Sequence, residues 1–246
     1  MIHLIPLIEG LNNTRGNNCY PLHTATMSAP TESRPRVVCI SLSYEPYLDD
    51  TYAGIFGRIL QKANMQRAKK PAGALGLLQQ DPLPAAVLLT DQALTEESPD
   101  VWDAVLAYVR QGGTAVAMGH FSSFVKPDNI RPFFAKAGLD WDRGDYHRTT
   151  VTLNPQTAGG AAARLPAQYS QKALFLKGVH PTAVLYGPSE TSVTESPVFP
   201  TEKVADLTQA AIAFAPVGNG RLGYVGDVNV EQGTDDAILA MCGLLV

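Results

Sequence analysis

The chain has 246 residues, 45% hydrophobic and 17% charged, with a net charge of -4 and an isoelectric point near 5.7. That is enough apolar material for the core of one full α/β domain, and the expected organisation is one domain preceded by a tail. The only basic cluster, Arg67, Lys69 and Lys70, is short and lacks interleaved aromatics, and no apolar run approaches the roughly 18–20 residues of a bilayer span, so neither nucleic acid nor membrane is an expected partner and a soluble protein is anticipated.

The first 35 residues carry the pairs Asn12-Asn13 and Asn17-Asn18, several prolines and no sustained period of 2 or 3.6 beyond a brief apolar run from Ile2 to Ile8. They read as a flexible N-terminal extension, without the layout of a secretory or mitochondrial leader. Met27 opens a more ordinary start, MSAPTESRPR. Three cysteines, Cys19, Cys39 and Cys242, fall in no Cys-x-x-Cys or Cys/His spacing, which fits a reducing, cytoplasmic compartment. Cys39 sits in an apolar strand and Cys242 on the apolar face of a terminal helix, where each serves as a small buried hydrophobe.

From Arg36 the pattern is regular. Val37 to Ser43 is a continuous apolar, β-rich run, the mark of a strand covered on both faces, and Tyr52 to Met65 places Ile55, Ile59 and Leu60 at helical spacing. Ala85 to Thr90 is a second buried strand. Ser98 and Pro99 cap and start a helix whose Val101, Val105, Leu106 and Val109 share a face, and Gly112-Gly113 ends it before the strand Thr114 to Met118. Such a βαβαβ order demands right-handed crossovers and a parallel sheet with helices on both sides. A helix is expected over Asp128 to Ala137. Tyr146 to Leu153, Ala173 to Val179, Thr182 to Tyr186 and Ser192 to Phe199 then read as strands of an antiparallel extension, with Ala158 to Ala163 a flexible loop of small residues. Ala210 to Pro216 and Arg221 to Val225 make a hairpin around Val217-Gly218-Asn219-Gly220, and Thr234 caps a final helix over Asp235 to Leu244.

Three loops converge at the carboxyl ends of the parallel strands, where open α/β sheets bind ligands. They are Ser43-Tyr44-Glu45-Pro46-Tyr47, Gly119-His120-Phe121-Ser122-Ser123 and Asp227-Val228-Asn229-Val230-Glu231. His120 is the candidate general base, with Glu45, Asp227 and Glu231 as carboxylates available for acid-base work; Tyr44, Gly119, Phe121, Ser122 and Asn229 are candidate ligand contacts. His120, Asp227 and Glu231 match neither an EF-hand nor a zinc spacing, so no metal is expected. Gly218-x-Gly220 sits in a hairpin rather than between strand and helix, so it is not a phosphate cradle, and no cofactor is expected. His147 and Arg148 either line the pocket or form a solvated strand face. His180, before Pro181, shows no evident partner.

Two motifs carry a resemblance that spans Arg36 to Val246. GGTAVAMGHFSS, ending at Ser123, resembles the glycine-led strand that enters the nucleophile elbow of the class I glutamine amidotransferase-like superfamily, and GNGRLGYVGDVNVE, ending at Glu231, resembles that superfamily's strand bearing a His-x-Glu pair. The superfamily also contains DJ-1/PfpI and trehalose-utilisation (ThuA-like) proteins. The resemblance implies an α/β, flavodoxin-like three-layer sandwich: a mainly parallel sheet, helices on both faces and an antiparallel C-terminal extension. It also implies where a cysteine, histidine and glutamate would stand. Here the elbow holds Gly119 and His120, Asn229 occupies the histidine position, and only Glu231 keeps its type. An amide cannot accept a proton at neutral pH, so glutamine hydrolysis by the usual triad is not expected. His120 at the elbow resembles the ThuA-like pattern, and Glu45 resembles the glutamate of the DJ-1 branch. Two functions remain: a silent binding or interaction protein for an unknown small molecule, with homodimerisation possible, or a noncanonical hydrolase, lyase or isomerase acting on a small polar metabolite through His120 and nearby carboxylates.

Overall fold

The computed structural model describes residues 34–245 except Pro197 and Phe199. The extension expected over 1–35 therefore lies outside the described residues, save for its last two. Nine strands form one sheet: β1 (Arg36–Ile40), β2 (Asn64–Ala68), β3 (Ala86–Leu89), β4 (Thr114–Ala117), β5 (Asp142–Leu153), β6 (Gln168–Lys177), β7 (Val184–Gly187), β8 (Ile212–Val217) and β9 (Gly220–Val225), in the order β2-β1-β3-β4-β9-β8-β7-β5-β6. The pairs from β2 through β9 are parallel, and those from β9 through β6 antiparallel. The helices are α1 (Tyr47–Thr51), α2 (Ala53–Lys62), α3 (Pro71–Leu78), α4 (Pro99–Arg110), α5 (Phe121–Phe124), α6 (Pro127–Ala135), α7 (Pro155–Ala158) and α8 (Gln232–Met241).

Successive side chains of a strand point to opposite faces, and the parallel strands are apolar on both. Val38, Ile40, Val87, Leu89, Ala115 and Ala117 join a core with α3, α4 and α6, while Val37, Cys39, Leu88 and Val116 join a second core with α2 and α8. The sheet is thus a mixed α/β layer covered by helices on both sides. No helix among the described residues is long and apolar enough to cross a membrane.

Several expected elements shift. The helix read over Tyr52 to Met65 ends at Lys62, and Asn64–Ala68 forms edge strand β2, followed by α3. Only Ala68 of that strand is buried, so it carries no apolar signature. Ser192 to Phe199 contributes no strand among the described residues; Val193 and Thr194 form isolated bridges to Lys203 and Thr149. Ala158 to Ala163 is ordered as the end of α7 and a 3-10 turn. The last helix begins at Gln232 with Glu231 at its N-cap, so Thr234 lies inside its first turn. Ser98 stands before α4 with a left-handed backbone and no side-chain capping bond. His180 does have a partner: its Nδ1 lies 2.8 Å from Thr182 Oγ1.

The antiparallel extension curls back onto the parallel sheet. β6 is last in the strand order, yet Ala173 bridges Asp227 and Leu176 bridges Ala210. Leu174 donates its N–H to the Gly226 carbonyl at 2.9 Å, and Val228 donates to the Lys172 carbonyl at 3.0 Å. Gly226 makes this possible: a Cβ there would lie 2.3 Å from the Leu174 oxygen and 2.9 Å from that of Ala211. Replacing Gly226 by alanine should cost about 2–3 kcal/mol in urea unfolding. In the same assay Gly57→Ala, where a new Cβ meets nothing within 4 Å on an α2 helix interior, should be neutral or stabilising by about 0.5–1 kcal/mol.

Candidate functional site

The chain leaves β4 through Met118-Gly119-His120 and enters α5. Gly119 holds a left-handed backbone, φ +67°, and a Cβ there would sit 3.2 Å from the Thr90 carbonyl oxygen. The sharp bend is therefore occupied by a residue with no side chain to project. His120, at the N-cap of α5, is 5% exposed and boxed by aromatic rings: Tyr47 at 4.8 Å, Phe124 at 5.2 Å and Tyr52 at 5.5 Å between centroids. Burial holds its imidazole below the usual histidine range, against an opposing pull from Glu45. Its ring nitrogens have no hydrogen-bond partner among the described residues. Burial thus favours the neutral form of this imidazole.

The remaining elbow residues divide. Phe121 is fully buried, with its ring 5.3 Å from Phe133, 6.3 Å from Phe134 and 6.2 Å from Tyr224, so it is a core residue. Ser122 donates Oγ to the Val225 carbonyl at 2.5 Å, tying the elbow to the end of β9. The Tyr44 hydroxyl donates to Asp49 at 2.7 Å, and its ring packs against Lys69, 3.4 Å away, and Arg67. Both side chains are thus held by contacts within the protein. Glu45 is exposed and approaches His120 only electrostatically.

Asp227 is not a free crevice acid. It is 3% exposed, and its carboxylate accepts the N–H of Asn229 at 2.7 Å, of Val230 at 3.0 Å and of Glu231 at 2.8 Å, plus the Thr234 hydroxyl at 2.5 Å. These charge-assisted bonds fold the loop into a turn that launches α8, and they hold Val230 at φ +60°, a costly backbone for a β-branched residue. With its oxygens so committed, Asp227 positions the loop.

The turn delivers Asn229 and Glu231 to the hairpin of β5 and β6. Glu231 pairs with Arg148 at 2.5 Å, and Arg148 also donates to Ser170 Oγ at 3.0 Å. The bonding pattern assigns the Asn229 amide oxygen to Arg148, at 2.8 Å, and its nitrogen to the Val228 carbonyl, at 3.2 Å. Ser170 and Thr150 in turn donate to the two oxygens of Glu195, at 2.6 and 2.9 Å. Beside this network opens a cleft of about 650 Å³ lined by Arg148, Lys172, Thr194, Glu195, Glu202 and Asn229. A second hollow of about 430 Å³ shares Asn229 and is bordered by Ser122, Ser123 and Tyr146. The elbow and the β9 loop therefore meet on one rim, where Ser122, Ser123 and Asn229 border the smaller hollow, and the larger cleft lies toward the hairpin. Among the described residues no group of three His, Cys, Asp or Glu is placed to hold a metal ion. Cys39 and Cys242 are buried, each thiol pushed up to about 12 chiefly by desolvation.

No protein-family model matches the chain, and no curated protein sequence matches it significantly. Solved structures do. A ThuA-like protein from Bacteroides uniformis superposes with a TM-score of 0.57 at 12% identity, covering 90% of this chain and 95% of its own. β-Galactosidases from Bacillus circulans sp. alkalophilus and Rahnella sp. R3 give TM-scores of 0.52 and 0.51 at 14% and 16% identity. Each match covers 86% of this chain, which spans only 31% of either galactosidase. At these identities the likeness is one of fold.

Two consequences are measurable. Asp227→Asn removes an acceptor facing the Glu231 N–H and the Thr234 hydroxyl, and should cost about 2–3 kcal/mol in denaturant unfolding. Asp235, in the first turn of α8, has its carboxyl raised to about 6 by burial, opposed by Arg58 and reinforced by Asp227 and Asp236. The folded state thus favours the neutral acid; the stability this gives is complete below the ordinary value of 3.8 and lost as pH rises through about 6. Asp235→Asn should therefore stabilise the protein at pH 7.5 by about 1–2 kcal/mol, an advantage that vanishes when the titration is repeated near pH 4.

Proposed function

We propose that this is a binding protein on a class I glutamine amidotransferase-like, flavodoxin-like fold, which holds a small polar molecule in its rim cleft without transforming it. One observation carries the reading: the left-handed position of the elbow is Gly119, so the bend that presents an attacking atom in such folds presents none. The surroundings agree. Asn229, at the position resembling the catalytic histidine, spends its amide on Arg148 and Val228, and Glu231 neutralises Arg148 instead of orienting a base. In this reading the protein works in the cytoplasm on a small metabolite, without nucleic acid, membrane or cofactor, and a second copy is the candidate partner for the outer edge of β2.

A second reading has its own support. The His120 imidazole has no hydrogen-bond partner among the described residues and is kept neutral by burial, the state a general base requires, with Glu45 nearby. A hydrolase, lyase or isomerase acting through His120 would use that proton acceptor.

One experiment separates the two. Thermal unfolding against a panel of small polar metabolites, followed by product analysis, should reveal ligand stabilisation without turnover and no ammonia released from glutamine. His120→Ala should lower the baseline midpoint but preserve the ligand-induced rise. Turnover of any panel member that falls about 100-fold or more in His120→Ala would replace the binding reading with the enzymatic one.

A further inference from the structure

Two cations face each other across the β5–β6 ladder. Arg148 and Lys172 are register partners, so their side chains leave the same face of the sheet side by side. Like charges placed directly opposite are destabilising in a ladder, and the chain answers only one of them: Glu231 pairs with Arg148, whereas no carboxylate among the described residues lies within ion-pair distance of the Lys172 ammonium. Lys172 is half-buried, with its ammonium 5.3 Å from the centre of the Tyr146 ring, at the wall of the 650 Å³ cleft. The lining also includes Glu195, both of whose oxygens are held by hydroxyls, and the exposed Glu202.

Accepting the binding reading above, we infer that this cleft takes the carboxylate of a small hydroxylated metabolite, with Lys172 as its principal ionic contact and Arg148 beside it. The Lys172 ammonium, with which no carboxylate among the described residues pairs, is the group left to meet a ligand's carboxylate. A doubly charged phosphate would meet the same two cations but suffer more from the Glu195 and Glu202 carboxylates in the same lining, which makes the singly charged group the better complement. The exposed Glu202 supplies a carboxylate for the ligand's own hydroxyls.

The probe is sodium gluconate, a monocarboxylate with a hydroxylated chain, compared with uncharged glucose and with inorganic phosphate. Gluconate should raise the thermal midpoint saturably and glucose should not. Lys172→Gln should weaken gluconate binding by about tenfold or more while leaving the ligand-free midpoint unchanged or higher, because it also removes the cross-strand repulsion; Lys172→Arg should restore most of the affinity. A residue of purely structural role would not produce that opposition between ligand-free stability and binding. Equal effects of gluconate and glucose, no effect of gluconate, tighter binding of phosphate, or unchanged gluconate affinity in Lys172→Gln would each overturn the assignment. Conversion of bound gluconate to a product would instead overturn the silent-binding reading and leave the Lys172 contact standing.

Discussion

The structure depends on how the chain leaves its fifth parallel strand. At Gly226 three backbones come together, those of β9, Ala211 and Leu174, more closely than any side chain would allow. Immediately afterwards the Asp227 carboxylate gathers three consecutive loop amides and the Thr234 hydroxyl. Buried backbone donors must be satisfied, and an ionised acceptor satisfies them strongly. The joint effect is to steer the loop onto the β5–β6 hairpin, where Glu231 reaches Arg148. Without that steering, Asn229 and Glu231 would be surface residues with no partner, and the cleft would lose one of its walls.

This routing explains why the rim looks poor in chemistry at the elbow and rich beside the hairpin. His120 is surrounded by Tyr47, Tyr52 and Phe124, and the position that bends most sharply is a glycine. Across the rim, Arg148, Ser170, Glu195 and Asn229 form a connected polar network next to open volume. Connected networks fix geometry because each member orients the next, which makes this wall rigid.

The parallel half of the fold was legible because β1, β3 and β4 are buried on both faces and read as uninterrupted apolar runs. β2 was invisible for the opposite reason: Asn64, Met65, Gln66 and Arg67 are a polar edge, and Met65 extends the helical spacing of the preceding segment. The loop clusters were also legible, since strand ends predict where polar residues gather. Their side-chain directions were not. Tyr44 turns toward Asp49 and Lys69, and Phe121 turns into the core, choices set by packing partners distant in sequence. Arg148 and Glu231 lie 83 residues apart, and no local pattern marks them as a pair. Alternation did place Arg148 on a strand, and the acid-rich exit of β9 was evident; what was missing was the curl of the extension that joins them.

The central claim is that ligand recognition sits between the β9 exit loop and the β5–β6 hairpin, and not at the elbow histidine. Backbone amide chemical shifts followed during titration with a bound metabolite test it most directly. The account predicts that the largest changes map to Arg148, Lys172, Glu195 and Asn229, with His120 and Glu45 unmoved; changes centred on His120, Glu45 and Tyr47, with the hairpin silent, would contradict it.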